Sequence, residues 1–201
     1  MPAVVVLASA NPDKVAELGE LLGDRFEVRP RPADLPDTIE DQDTLEGNAI
    51  KKAAEVAEAT GEWALADDTG LFVDALDGRP GVYTARFAGP NASYEENVEK
   101  LLTLLVDVEP DDRTATFRTA IALIGPDGSG LTAEGSIDGY ISGRRLGDRG
   151  FGYDPVFEPA EGDGRTFSEM SIEEKHELSH RARALAALDT ALTQSPLPDL
   201  P

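Results

Sequence analysis

Trp63-Ala64-Leu65-Ala66-Asp67-Asp68-Thr69-Gly70, followed by Leu71-Phe72-Val73, is the stretch on which fold and chemistry turn. The four residues before the acidic pair read as a short buried strand, Thr69-Gly70 as a tight turn, and Leu71 to Val73 as a second strand. On this reading both carboxylates sit at a strand end. Two ionised carboxylates side by side repel unless one takes a proton or a cation lies between them. A hard divalent ion with oxygen ligands is the usual answer. A solvated Asp-Asp turn is the plain alternative in a chain this rich in aspartate.

Outward from this stretch the chain alternates between strand and helix patterns. On the N-terminal side, residues 3 to 8 form a strand and Ser9-Ala10-Asn11-Pro12-Asp13-Lys14 opens a helix to about Gly23. Asn11 suits the N-cap and Pro12 the first turn. Phe26 to Arg29 reads as a strand, a Pro- and Asp-rich loop follows to about residue 43, and a helix covers Thr44 to about Thr60. On the C-terminal side, Arg79-Pro80-Gly81 marks a loop, and Ser93-Tyr94-Glu95-Glu96 is a capping box for a helix ending near Val106. Thr114 to Gly125 and Leu131 to Ser142 read as strands joined by the turn-rich Pro126-Asp127-Gly128-Ser129-Gly130. Ser171-Ile172-Glu173-Glu174 caps another helix, and helical periodicity continues from Ala182 to Leu192. The pattern predicts one α/β unit with a mixed sheet over residues 1–195, and a frayed tail from Pro196 to Pro201.

The 201 residues are enough to bury a proper core, and no apolar stretch approaches the roughly 18 residues of a membrane span. Met1-Pro2 followed at once by Ala3-Val4-Val5-Val6-Leu7-Ala8 shows no basic leader, so a cytoplasmic enzyme is expected. The absence of cysteine excludes thiolate metal sites and cysteine nucleophiles, leaving oxygen or histidine for any metal. A formal charge of −21, from 39 acidic and 18 basic residues, works against nucleic-acid and anionic-membrane partners.

Four further segments carry chemistry. Ser9, Ala10 and Asn11 precede a helix N-terminus with Lys14 in its first turn, which makes an anion site, although an ordinary capped helix has the same pattern. Asn48 and Lys52 fall four apart beside the apolar stripe Leu45, Ala49, Ala53 and Val56, placed to address a phosphate, with Glu40 upstream in reach of a metal. They also suit a solvated helix face. In Gly150-Phe151-Gly152-Tyr153-Asp154 the glycines bracket a ring that can lie flat on a planar ligand; stacking on a nucleobase is worth about 1–3 kcal/mol. Core packing is the alternative for both rings. Both histidines lie between Glu173 and Arg181, where Lys175 and Ser179-His180-Arg181 span about one and a half helical turns. Adjacent Ser and His do not make a hydrolase triad, so these residues read as cationic and donor groups for an anionic or carbonyl-bearing ligand. Only five lysines are present, and Lys14, Lys51 or Lys52, and Lys175 fall in these segments. Scarce cations beside candidate carboxylates point to a polyanion bridged by a metal, which describes a nucleoside triphosphate.

With these residues in view, the chain from residue 4 to about 190 resembles the inosine triphosphate pyrophosphatase family. The family's motifs occur in order: Ser9 to Lys14, Glu40, Asn48-Ala49, Ala66 to Gly70, Pro80 to Arg86, Phe151 to Asp154, Glu174-Lys175 and Ser179 to Arg181. Ala10 replaces the loop glycine, Gly47 an acidic residue and Leu45 a common phenylalanine. The resemblance implies an α/β fold with an elongated mixed sheet flanked by helices, in two lobes with a central substrate cleft, usually dimeric. It implies hydrolysis of ITP, dITP and XTP to the monophosphate and pyrophosphate. Mg2+ would be held by Glu40, Asp68 and triphosphate oxygens, with Asp67 a further candidate ligand and Asp68 the general base. Ser9, Ala10, Asn11, Lys14, Asn48, Lys52, Thr69 and Lys175 would bind the substrate. Phe151, Gly152 and Tyr153 would meet the base, and Asp154, His180 and Arg181 would frame its edge, accepting a 6-oxo group where a 6-amino group leaves donors facing donors. A septum-inhibition-type pyrophosphatase of other specificity and a nucleotide sensor without turnover are the competing expectations.

The acidic, lysine-poor composition also resembles proteins of high-salt cytoplasm, a halophilic character. The melting temperature is expected to rise between dilute buffer and molar KCl; a flat or falling curve by calorimetry would remove that expectation.

Overall fold

A computed structural model describes residues 3–195 together with Leu197 and Leu200. The expectation about a leader touches Met1 and Pro2, which lie outside the described residues, as do Pro196, Pro198, Asp199 and Pro201 of the expected frayed tail. Leu197 and Leu200 are partly buried against apolar core. Among the described residues no helix is long and apolar enough to cross a membrane.

Seven strands form one mixed sheet in the order β2-β1-β3-β5-β6-β7, with β4 pairing β3. Strands β1 (Ala3–Leu7), β2 (Phe26–Pro30) and β3 (Trp63–Val73) are parallel neighbours, Val5 facing Val28 on one side and Trp63 on the other. β4 (Pro80–Gly81) pairs antiparallel with β3; β5 (Thr114–Ile124) and β6 (Gly130–Ile141) are the two long strands expected, and β6 pairs antiparallel with β7 (Phe157–Pro159). The short β4 and β7 were not legible in the sequence.

The chain divides into two compact units. The first comprises residues up to Asp68, Thr119–Gly135 and Arg181 onward; the second comprises Thr69–Arg118 and Ser136–His180. The core of the first unites Val5, Leu7, Trp63, Leu65, Ile121 and Leu123 of the sheet with Leu18 and Leu22 of α1 (Pro12–Leu22) and Ala184, Leu185 and Leu188 of α5 (His180–Gln194). α2 (Leu45–Thr60) is capped by Thr44, whose hydroxyl accepts from the Gly47 N–H, and is closed by Gly61 in the left-handed conformation. The second unit packs Leu71, Val73, Phe117, Ile137, Phe157 and Phe167 with Val98 and Leu101 of α3 (Tyr94–Leu104). Its α4 (Ile172–Leu178) opens on the expected Ser171 capping box.

One expectation is overturned. Asp67, Asp68, Thr69 and Gly70 do not turn; β3 runs unbroken through them, so both carboxylates lie in mid-strand. Gly70 is required by close approach rather than by a bend. A Cβ there would stand 2.8 Å from the Gly81 carbonyl oxygen across the β3–β4 pairing and 2.8 Å from the Phe72 ring. Gly70→Ala is accordingly expected to destabilise the fold by about 1–3 kcal/mol through overpacking against backbone. Denaturant midpoints of the two proteins measure this, and an unchanged midpoint would mean the pairing yields without cost.

Candidate functional site

A continuous strand sends successive side chains to opposite faces. Asp67 therefore joins Trp63 and Leu65 on the face covered by α1 and α5, while Asp68 faces α2. Each carboxylate meets its own cations. Asp67 Oδ2 accepts from Arg181 Nε at 3.2 Å and Nη2 at 3.1 Å, and Lys14 Nζ lies 3.2 Å from the same oxygen. Arg181 is 2% exposed, and its Nη1 donates to Glu17 of α1 at 2.5 Å. Asp68 Oδ1 accepts from Lys52 Nζ at 2.9 Å, and its Oδ2 accepts from Asn48 Nδ2 at 3.2 Å.

The two neighbours end with opposite proton affinities. Burial works to lift both. At Asp67 it is outweighed by Lys14, Arg181 and Lys52, which hold the carboxyl far below its ordinary range. At Asp68 burial prevails over Lys52 and Lys14, with Glu40 adding repulsion, and the pKa is raised. Burial also pushes the Lys14 ammonium down despite Asp67, whereas Asp68, Asp67 and Glu40 together overcome burial at Lys52 and raise it. Asp67 is thus a fixed anion, and Asp68 a carboxylate closer to exchanging a proton.

Glu40 lies in the loop before α2, and its Oε1 accepts from the same Lys52 Nζ at 3.0 Å. Lys52 holds the Glu40 and Asp68 oxygens around one cationic point. Two carboxylates completed by substrate phosphate oxygens are a donor set that Mg2+ accepts, so the residues present fit that ion. Among the described residues no group of three or more Asp, Glu or His is placed to hold a metal. Of the expected metal ligands Glu40, Asp67 and Asp68, Glu40 and Asp68 share the Lys52 ammonium, while Asp67 lies against Lys14 and Arg181.

Several expected substrate ligands have partners within the protein. Asn11 caps α1, accepting from the backbone N–H groups of Asp13 and Lys14, and Ser9 Oγ accepts from the Asn11 N–H; Ala10 is exposed between them. Asn48 is fully buried, and its Oδ1 accepts from the Gln42 N–H, so this residue joins the Glu40 loop to Asp68. Thr69 continues β3 and is half-buried.

The aromatic loop belongs to the second unit and is built around Asp154. Its Oδ2 accepts from the Phe151 N–H at 2.9 Å and from Lys175 Nζ at 2.8 Å. Gly150 has φ near +69°, and a Cβ there would fall 2.1 Å from this oxygen. The half-buried Phe151 ring lies 5.9 Å from Tyr94, and Lys175 Nζ stands 5.1 Å from its centroid. Gly152 also adopts a positive φ. Tyr153 belongs to the apolar core, its hydroxyl donating to the Thr84 carbonyl. His180 is buried and stacked on Phe117 with centroids 4.7 Å apart. The three residues expected to frame a base edge are thus held by the protein itself: Asp154 as a loop brace, His180 against Phe117, and Arg181 between Asp67 and Glu17. Sequence reasoning missed Glu17 and Tyr94. The three-residue spacing of Lys14 and Glu17 on α1 was the one available signal for the former.

Comparison with known proteins follows the same lines. The sequence profile described as the Ham1 family matches residues 5–191. A dITP/XTP pyrophosphatase of Caulobacter vibrioides is 46% identical over 193 residues, covering 96% of this chain and 99% of its own length. One from Bacillus subtilis is 42% identical, with 93% and 96% covered. The solved structure of a HAM1 protein from Coxiella burnetii superposes with a TM-score of 0.83 at 40% identity, covering 96% of this chain and all of that one.

Arg181→Met is expected to destabilise the protein by about 3–5 kcal/mol, because it leaves Glu17 and Asp67 buried without the guanidinium that neutralises both. Chemical denaturation at neutral pH checks this, and a loss under about 1 kcal/mol would show that Lys14 alone suffices.

Proposed function

The chain belongs to the Ham1 family, and from that footing we propose that it hydrolyses the non-standard purine nucleoside triphosphates ITP, dITP and XTP to the nucleoside monophosphate and pyrophosphate, removing them from the nucleotide pool. One observation carries the chemistry: the Glu40 and Asp68 carboxylates converge on the Lys52 ammonium, at 3.0 and 2.9 Å, with Asp68 in mid-strand beside Asp67. The relatives' names, dITP/XTP pyrophosphatase, support the substrate class.

In this reading Asp68 is the general base. It accepts a proton from the attacking water as the new oxygen–phosphorus bond forms at the α-phosphorus, and the bond to the αβ-bridging oxygen breaks to release pyrophosphate. A raised carboxyl is the better proton acceptor, and Lys52 stabilises the charge before transfer. Lys14, in the first turn of α1, offers positive charge to the phosphates. Mg2+ held by Glu40 and Asp68 would neutralise triphosphate oxygens as charge builds there. Asp67 is assigned a fixed counter-charge that orients Lys14, rather than a metal ligand. In the second unit the Phe151 ring, backed by Tyr94 and Lys175, is the surface proposed to stack on the base. A homodimer in the cytoplasm, as the resemblance implies, belongs to the same proposal.

The test is pyrophosphate release from ITP, XTP, dITP, GTP, ATP and dTTP, with and without Mg2+, for the parent and Asp68→Asn. Metal-dependent release from ITP, dITP and XTP is expected, with turnover lowered about 10²- to 10⁴-fold in the variant while ITP still binds. Variant activity within a few-fold of the parent would place the base elsewhere. Tight ITP binding by the parent without release would make the protein a nucleotide sensor.

A further inference from the structure

The loop that carries Glu40 is held by one edge of α2. Asn48, Lys51, Lys52 and Glu55 recur at helical spacing, so they form a single row along that edge. The loop answers residue by residue. Thr38 Oγ1 donates to Glu55 Oε2 at 2.5 Å; Lys51 Nζ donates to the Ile39 carbonyl at 2.9 Å and to Asp41 Oδ1 at 2.8 Å. Glu40 accepts from Lys52, and the Gln42 N–H donates to Asn48. Gln42 Nε2 in turn donates to Asp41 Oδ1 at 2.7 Å, the oxygen that Lys51 holds. Gly47 gives the loop room: a Cβ there would meet Gln42 Cβ and Thr44 Oγ1 at 3.0 Å.

Apolar burial does not fix this segment. Ile39, the one large apolar side chain between Asp37 and Thr44, is 74% exposed, and that stretch contains four acidic residues (Asp37, Glu40, Asp41, Asp43) that repel one another. Its conformation depends on the polar rungs. Among them Lys51 alone grips both residues flanking Glu40, one through a backbone carbonyl and one through a carboxylate. A simple surface ion pair would restrain neither φ nor ψ at position 40; a two-point grip on its neighbours restrains both.

We propose that Lys51 is a positioning residue: it clamps Ile39 and Asp41 so that the Glu40 carboxylate stays beside Asp68 and is ready to share a divalent cation with it. This rests on the reading of Glu40 and Asp68 as the metal pair. Lys52 contacts those carboxylates, whereas Lys51 acts through the loop backbone.

Lys51→Met and Lys51→Arg in the full chain test the assignment through three readouts. Amide hydrogen exchange reports the Asp41 and Gln42 N–H groups. Mn2+ titration followed by water-proton relaxation, with and without inorganic pyrophosphate, reports metal affinity without turnover. Pyrophosphate release from ITP against Mg2+ concentration reports function. In Lys51→Met the two amides should exchange faster, and the Mn2+ dissociation constant and half-saturating Mg2+ should rise about tenfold, the low end for loss of a group that orients a metal ligand. The KM for ITP at saturating metal should change less, and Lys51→Arg should recover most of the metal affinity. Unchanged metal affinity in Lys51→Met, or faster exchange without a loss of affinity, overturns the proposal, as does a parent protein that does not bind Mn2+. A parent that binds Mn2+ but releases no pyrophosphate would refute the proposed function alone, while exchange and Mn2+ affinity would still decide the role of Lys51.

Discussion

Asp67 is the residue on which the arrangement of the first unit depends. A buried carboxylate at the centre of a sheet costs several kcal/mol unless cations and hydrogen bonds compensate it. Here Lys14 from α1 and Arg181 from α5 supply both. The two helices that pack their leucines on Trp63 and Leu65 are the same two that bring these cations, so apolar burial and charge neutralisation specify one placement. Arg181 also neutralises Glu17, which ties α1 to α5 by charge as well as by packing.

With Asp67 neutralised on one face, Asp68 is left to the other, where the local charge balance differs. Lys52 lies in direct contact with it and also contacts Glu40, so the two carboxylates converge on this ammonium. Burial, reinforced by repulsion from Glu40, keeps Asp68 from becoming a second fixed anion. The period-2 geometry of a strand thereby divides two identical side chains between two electrostatic environments, Asp67 against Lys14 and Arg181 and Asp68 against Lys52 and Asn48.

Much of this was legible in the sequence, and the losses have definite causes. The N-cap at Asn11, the capping boxes at Ser93 and Ser171, and the row from Asn48 to Lys52 rest on local spacing, and each lies where local spacing puts it. Thr69-Gly70 misled because a glycine needed for close approach to Gly81 has the same appearance in sequence as a glycine needed for a turn. The error propagated: with β3 broken, Asp67 and Asp68 belong to one acidic cluster; with β3 continuous, they face apart. Arg181 was beyond reach for a different reason. Its partners Asp67 and Glu17 are 114 and 164 residues away, so nothing local distinguishes a buried counter-ion from a ligand contact.

The lysines show how a strongly acidic chain keeps specific positive charge. With a formal charge of −21, long-range attraction between the protein and a polyanionic ligand is unfavourable, and salt screens that repulsion only beyond about 8–10 Å at moderate ionic strength. Affinity for any polyanion must then arise at short range, from cations held at fixed positions. Lys14, Lys52 and Lys175 are held in this way, their ammonium groups paired with buried aspartates that set their direction. Lys175 in addition stands over the Phe151 ring, where its charge and the ring's negative face reinforce one another. In this chain buried aspartates therefore fix the direction of three of its five lysines, so an excess of acid and specifically placed positive charge are compatible within one protein.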